Sequence, residues 1–169
     1  MPKVFFIADT HFGHKNIIEY ANRPFHTVEE MDSTMIKNWN DTVTVEDTVF
    51  MLGDFSFYDE NKTIEIISGL NGYKVLILGN HDDIFPFDRW KVSGFDEVVR
   101  YPIIFNEWFI LSHDPIYLNS SMPYANIYGH VHSNPIYADY SPQSFCACVE
   151  RIGYKPIEFE EIIAKMKTL

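Results

Sequence analysis

Asp, Asn and His recur in this 169-residue chain at one kind of position, directly after a short apolar run. Lys3–Ala8 leads into Asp9-Thr10-His11, Thr48–Leu52 into Gly53-Asp54, and Tyr73–Leu78 into Gly79-Asn80-His81-Asp82. Trp108–Ser112 leads into His113-Asp114, and Ala125–Tyr128 into Gly129-His130-Val131-His132. Asp9, His11, Asp54, Asn80, His113, His130 and His132 offer carboxylate, amide and imidazole donors. Imidazole suits zinc, iron and nickel, and carboxylate suits manganese and magnesium. Seven ligands exceed what one ion with an open position takes. The set predicts two divalent ions sharing a bridging carboxylate, an arrangement suited to displacement at phosphorus. An Asp-x-His or a Gly-Asp alone is commonplace, but five of the seven histidines fall at these run ends.

Such residues need a scaffold that brings them to one edge. The apolar runs read as buried strands. Between them Lys15–Ala21 reads as a short helix, and Thr27-Val28-Glu29-Glu30 as a capping box. The helix that box opens carries Met31, Met35, Ile36 and Trp39 on one face, and Lys62–Leu70 reads as a further helix stopped by Asn71-Gly72. Strand and helix thus alternate in the first half, the pattern of an α/β layer with parallel strands. In the second half Glu97–Phe105, Trp108–Ser112, Ala125–Tyr128 and Phe145–Glu150 are strand-like and joined mostly by loops, which predicts a second, mostly antiparallel sheet. A last helix is expected over Glu158–Lys167. In open α/β sheets ligands bind beyond the carboxyl ends of the strands, so the run ends should converge.

Composition sets the outer limits. Hydrophobic residues make up 46% of the chain and aromatics 16%, enough for a sizeable core. There is no repeat, low-complexity stretch or linker, so residues 1–169 are expected to form a single domain. The apolar runs are far shorter than the ~20 residues of a membrane span. The N-terminus has no signal-peptide pattern, so a cytoplasmic protein is expected. Thirteen Lys and Arg against 24 Asp and Glu give a net charge of -11, which disfavours extended duplex nucleic acid as a partner. Cys146 and Cys148 read as two reduced core thiols on one strand face.

Asp9-x-His11, Gly53-Asp54, Gly79-Asn80-His81-Asp82, His113 and Gly129-His130-x-His132 resemble, in content and order, the five motifs of the calcineurin-like metallophosphoesterases. The opening Asp9-Thr10-His11-Phe12-Gly13-His14 is similar to small bacterial and phage members. The resemblance implies an α/β fold, a four-layer αββα sandwich of two mixed sheets flanked by helices. It implies one ion on Asp9, His11, Asp54 and His132, and another on Asp54, Asn80, His113 and His130, with Asp54 bridging. Manganese is the expected metal, with iron, zinc, nickel or magnesium as alternatives. His81 and Asp82 are the implied catalytic residues, His81 beside the phosphate and Asp82 as its orienting partner. Phe55-Ser56-Phe57 follows the Gly-Asp motif where many members carry polar residues, so no substrate contact is expected from that loop.

The expected activity is hydrolysis of phosphate monoesters or diesters, of a small molecule or nucleotide, by in-line attack of a hydroxide bridging the ions. His14 and Arg23 are candidate substrate contacts, the first by its place three residues after Asp9-x-His11, the second because a guanidinium grips phosphate. Two alternatives are a nuclease or nucleic-acid end-processing phosphoesterase, and a non-catalytic scaffold of the same fold. The second conflicts with a motif set in which every position is filled.

Overall fold

The computed structural model describes residues 1–135 and 143–166. Four parallel strands form the body of the first sheet: β1 (Val4–Ile7), β2 (Thr48–Met51), β3 (Tyr73–Ile77) and β4 (Glu97–Val99). They lie in the order β4-β3-β2-β1, with Phe6 opposite Phe50 and Phe50 opposite Val75. A two-residue strand near the C-terminus, Ile157–Glu158, closes the other edge antiparallel to β1. The second sheet runs β5 (Ile103–Phe105), β6 (Phe109–Leu111), β7 (Ala125–Tyr128), β8 (Ser144–Cys146), and the closing strand of the first sheet is therefore β9.

Helices flank the two sheets. They are α1 (Ile17–Tyr20), α2 (Val28–Thr42), α3 (Glu60–Gly69), α4 (Phe87–Trp90), α5 (Val149–Ile152) and α6 (Phe159–Met166). The cap holds and the return bond shifts by one residue: Thr27 Oγ1 accepts the Glu30 N–H at 3.1 Å, and Glu30 Oε2 accepts the N–H of His26, just before the cap, at 2.8 Å. Met31, Met35 and Trp39 are buried, as their helical spacing predicts, and Ile36 is half-buried. α3 starts two residues before the expected Lys62, because Asp59 caps it through the Lys62 N–H.

The sheets meet through aromatic rings. Phe6 and Phe50 stack at 5.4 Å, and Phe105 of the second sheet meets them edge-on at 5.8 and 5.2 Å. At the carboxyl end of β1 the sheets are stitched together: the Ala8 N–H donates to the Ala147 carbonyl, and the Val149 N–H donates to the Ala8 carbonyl. The candidate site lies beside this stitch.

Three expectations need correction. The second sheet is not mostly antiparallel: only β5–β6 is, while β6–β7 and β7–β8 are parallel. β6 and β7, and likewise β7 and β8, are separated by more than a dozen residues of sequence, room enough for the crossover that parallel pairing requires. The run Glu97–Phe105 is not one strand. It divides at Tyr101-Pro102 into β4 and β5, which belong to different sheets. A proline has no N–H for a ladder, and it suits the point where the chain leaves one sheet for the other. The run Phe145–Glu150 ends as a strand at Cys146 and turns into α5, closed by Gly153 in the left-handed region. The last helix starts at Phe159, and Lys167 lies outside the described residues. Among the described residues no helix is long and apolar enough to cross a membrane.

Candidate metal centre

The run ends do converge, and their backbones depart from ordinary geometry to do so. Asp9, His11, Asp54, His130 and His132 have φ of 59°, 51°, 57°, 70° and 49°. These left-handed values disfavour side chains other than glycine and cluster where function holds strain in place. Among the described residues nine non-glycine positions have positive φ, and these five are candidate ligands. Two glycines make the crowding possible. A Cβ on Gly79 would run into Asp54 Oδ1 and lie 2.7 Å from the Asp54 nitrogen, and one on Gly129 would lie 2.7 Å from Ala8 Cβ.

The donors form two groups. Asp9 Oδ1 lies 3.9 Å from His11 Nε2 and 3.7 Å from His132 Nε2. Asn80 Oδ1, His113 Nε2 and His130 Nδ1 stand 2.9 to 3.1 Å apart. Asp54 Oδ2 faces both groups, 3.5 Å from His11 Nε2 and 3.5 Å from His113 Nε2. The His113 ring is oriented by the Leu52 carbonyl, 2.8 Å from Nδ1. A carbonyl only accepts, so Nδ1 carries the proton and Nε2 keeps its lone pair. His130 donates its backbone N–H to Asp9 Oδ2 at 2.8 Å, which leaves Asp9 Oδ1 for the cluster.

The electrostatics fit a bound cation. Asp9 Oδ1 and His11 Nε2 are buried with no hydrogen-bond partner. Buried polar atoms of that kind are costly unless something satisfies them. Burial pushes the Asp54 carboxyl up and His113 opposes it, while the Asp9 and Asp82 carboxylates raise it further. Burial opposes the charged form of His113, yet Asp9 and Asp54 draw its pKa above the ordinary value. His132 is likewise raised against its burial, through Glu150 and Asp9. His11, the most enclosed of the rings, is lowered by burial to about 4. Carboxylates that pull protons onto neighbouring imidazoles form a negative pocket, and a divalent ion can neutralise it in the protons' place. Buried Asp and His groups here are thus able to bind metal.

All seven sequence-predicted ligands are brought together. His81 is exposed beside them, its ring 5.7 Å from that of His11, and its backbone N–H donates to Asp54 Oδ1 at 2.8 Å. Asp82 departs from expectation. Its carboxylate accepts the backbone N–H groups of Asp54, Phe55 and Gly79 at 2.7 to 3.0 Å, so it clamps two run-end loops together instead of orienting the His81 ring. Arg23 departs as well. It is buried, and its guanidinium is taken up by the Asp9 and Thr10 carbonyls and by Glu150. Five N–H donors in a planar fork suit this buried bracing. His14 is half-buried at the rim, stacked on Phe57 at 4.1 Å, with its Nδ1 3.3 Å from His11 Nδ1. Phe57 therefore borders the site as an aromatic wall.

Sequence reasoning missed Glu150, whose Oε1 lies 2.9 Å from His132 Nδ1. No motif spacing marks it. Both cysteines are buried and free, and the Cys148 thiol is 3.2 Å from Asp9 Oδ2. Beside the donors opens a groove of about 740 Å³. His130 and His132 line it together with the apolar Tyr20, Pro115 and Pro135, and Asp114 is its one carboxylate among the described lining residues. No Lys or Arg is among them.

No family model matches the chain. It is 40% identical over 174 aligned positions to the uncharacterized protein MJ1445 of Methanocaldococcus jannaschii, a match that takes in 96% of this chain and 90% of that protein. The gene 66 protein of Mycobacterium phage L5 is 39% identical over 92 residues, 53% of this chain and 44% of the phage protein. Among solved structures, the crystal structure of the protein of unknown function AQ665 from Aquifex aeolicus superposes with a TM-score of 0.74 at 30% identity, covering 97% of this chain and 99% of that one.

Proposed function

The chain belongs to the protein family of MJ1445, and for it we propose a dinuclear, metal-dependent phosphoesterase that hydrolyses mono- or diesters of small phosphorylated molecules or nucleotides. The observation that carries this reading is the meeting of two donor groups at one carboxylate, Asp54 Oδ2. On it, Asp9, His11, His132 and Asp54 hold one ion, and Asn80, His113, His130 and Asp54 the other. The two mixed sheets with their flanking helices are then the four-layer sandwich of the calcineurin-like metallophosphoesterases, whose motifs the run ends resemble. Manganese is the first metal to test.

Two divalent ions supply positive charge against the phosphoryl oxygens and lower the pKa of water. The protein's own groups do the rest. The Asp82 clamp and the bond from the His81 N–H to Asp54 fix the turn that carries the His81 ring. From its exposed position that ring donates a hydrogen bond or proton to the leaving oxygen, a contribution of typically ~10²–10⁴-fold. Phe57 packs beside that ring at 5.3 Å and carries the stacked His14, so the two form an aromatic wall next to His81. The groove takes the organic part of the ester. Its single carboxylate and its lack of Lys and Arg among the described lining residues favour a substrate with one phosphate over a polyphosphate.

A screen of mono-, di- and cyclic phosphate esters with Mn²⁺ tests the reading. Chelator-sensitive turnover of at least one ester class is expected. No turnover of any ester by protein shown to carry two ions per chain would overturn it.

A further inference from the structure

We propose that Glu150, braced by Arg23, is a positioning residue for His132 and sets the affinity of one of the two ion sites. The inference deepens the metal-dependent reading above and rests on it. Glu150 lies in α5, on the far side of β8 from His132 in sequence, and is reached only through the fold. Its Oε1 receives His132 Nδ1 at 2.9 Å, Arg23 Nε at 2.9 Å and Arg23 Nη2 at 2.8 Å. The Arg23 and Glu150 side chains are 0% and 3% exposed, so the pair is shielded from water. The same guanidinium donates to the Asp9 carbonyl at 2.7 Å and the Thr10 carbonyl at 2.9 Å.

One buried fork therefore joins two distant parts of the site. It holds the carboxylate that aims His132, and it holds the left-handed backbone that presents Asp9 and His11. A carboxylate bonded to Nδ1–H fixes the tautomer in which Nε2 keeps its lone pair, and that Nε2 is the atom 3.7 Å from Asp9 Oδ1. Without the carboxylate the ring is free to rotate and to carry its proton on either nitrogen. Loss of such a partner typically weakens metal binding ~10–100-fold. The other donor group has a separate brace, the Leu52 carbonyl on His113. The effect should fall on one site only.

Titration of metal-free protein with Mn²⁺ by calorimetry separates the two affinities. Glu150→Ala should weaken one of them about 10–100-fold and leave the other within about twofold. Glu150→Gln, whose amide oxygen still accepts from Nδ1–H, should recover part of the loss. A second readout needs no metal: ¹H–¹⁵N spectra of the imidazoles at pH 9 should show His132 as the Nδ1–H tautomer in wild type and as a mixture in Glu150→Ala. Equal weakening of both sites in step with a fall in Tm would overturn the assignment, as would a His132 tautomer that does not respond to the substitution. Wild-type protein that binds fewer than two Mn²⁺ would overturn the dinuclear reading instead, and the tautomer would still decide the role of Glu150.

Discussion

The run-end rim and the α2–α3 pair are built on opposite terms. In α2 and α3 the local sequence and the final structure agree: capped N-termini, apolar residues at helical spacing, and slack at the margins. Gly69, at the end of α3, has nothing within 4 Å of where a Cβ would stand. At the rim, five candidate ligands sit in left-handed backbone, and Gly79 has no room for a methyl group. The helices show what a sequence does when only packing is asked of it. The rim shows geometry that local preference opposes, held there by bonds from elsewhere: the Asp82 clamp, the Arg23 fork and the sheet stitch at Ala8.

The sharpest way to break the rim is at its centre. Asp54→Asn removes the charge that both donor groups face. Esterase activity should fall by at least ~10³-fold, with Mn²⁺ binding weakened at both sites; near wild-type turnover would refute the bridging role. Next is His81→Ala, which should lower kcat ~10²–10⁴-fold while elemental analysis still finds two ions. The loss should be smaller for a nitrophenyl ester, whose leaving group needs little protonation, than for an alkyl ester.

Matched glycine substitutions set the two regions side by side. Gly79→Ala must displace Asp54 and should weaken Mn²⁺ binding by at least ~10-fold. Gly69→Ala should instead stabilise the fold by up to ~1 kcal/mol, read by denaturant melts, and leave metal binding unchanged. The reverse pattern would abolish the contrast.

Proton competition is a milder probe. His113 and His132 have pKa values raised by the surrounding carboxylates and must lose their protons to bind metal. Mn²⁺ affinity should therefore fall on acidification, and the fall should set in above the ordinary imidazole pKa of 6.5, by about tenfold per pH unit for each proton displaced. Calorimetry at three pH values checks this. The smallest effect concerns Asp32 on α2, which accepts the Gly13 N–H and the Tyr58 hydroxyl. Burial raises its carboxyl from the ordinary 3.8 to about 6. The native state thus favours the protonated form, and stability should decline as pH rises from about 4 to 6, then stay flat. Asp32→Asn should remove that slope, worth roughly 1 kcal/mol once solvent screening is allowed for.

What was legible in the sequence follows the same division. The capping box, the buried face of α2 and the seven donors could be read because each is a local pattern or a residue directly after a strand. The jobs of Asp82, Arg23 and Glu150 could not. A buried carboxylate on three backbone N–H groups and a guanidinium on two carbonyls depend on which loops meet in space, and nothing in the neighbouring residues encodes that. The break at Tyr101-Pro102 did leave a local mark, since a proline cannot donate to a ladder; what the neighbouring residues do not encode is that the two halves join different sheets.

Each donor group draws on both sheets. Asp9, His11 and Asp54 follow strands of the first sheet and His132 a strand of the second; Asn80 follows the first, His113 and His130 the second. No short fragment of the chain carries a whole set. On the proposed reading, metal affinity is then a property of the docked pair of sheets, and each ion acts as a removable rivet between them. Binding to the native state alone stabilises by RT ln(1 + [L]/Kd), about 2.7 kcal/mol per site at a hundredfold excess over Kd. Chelation would loosen the seam between the sheets first, and the sheet-to-sheet aromatic contacts near Phe105 would be the place to watch it open.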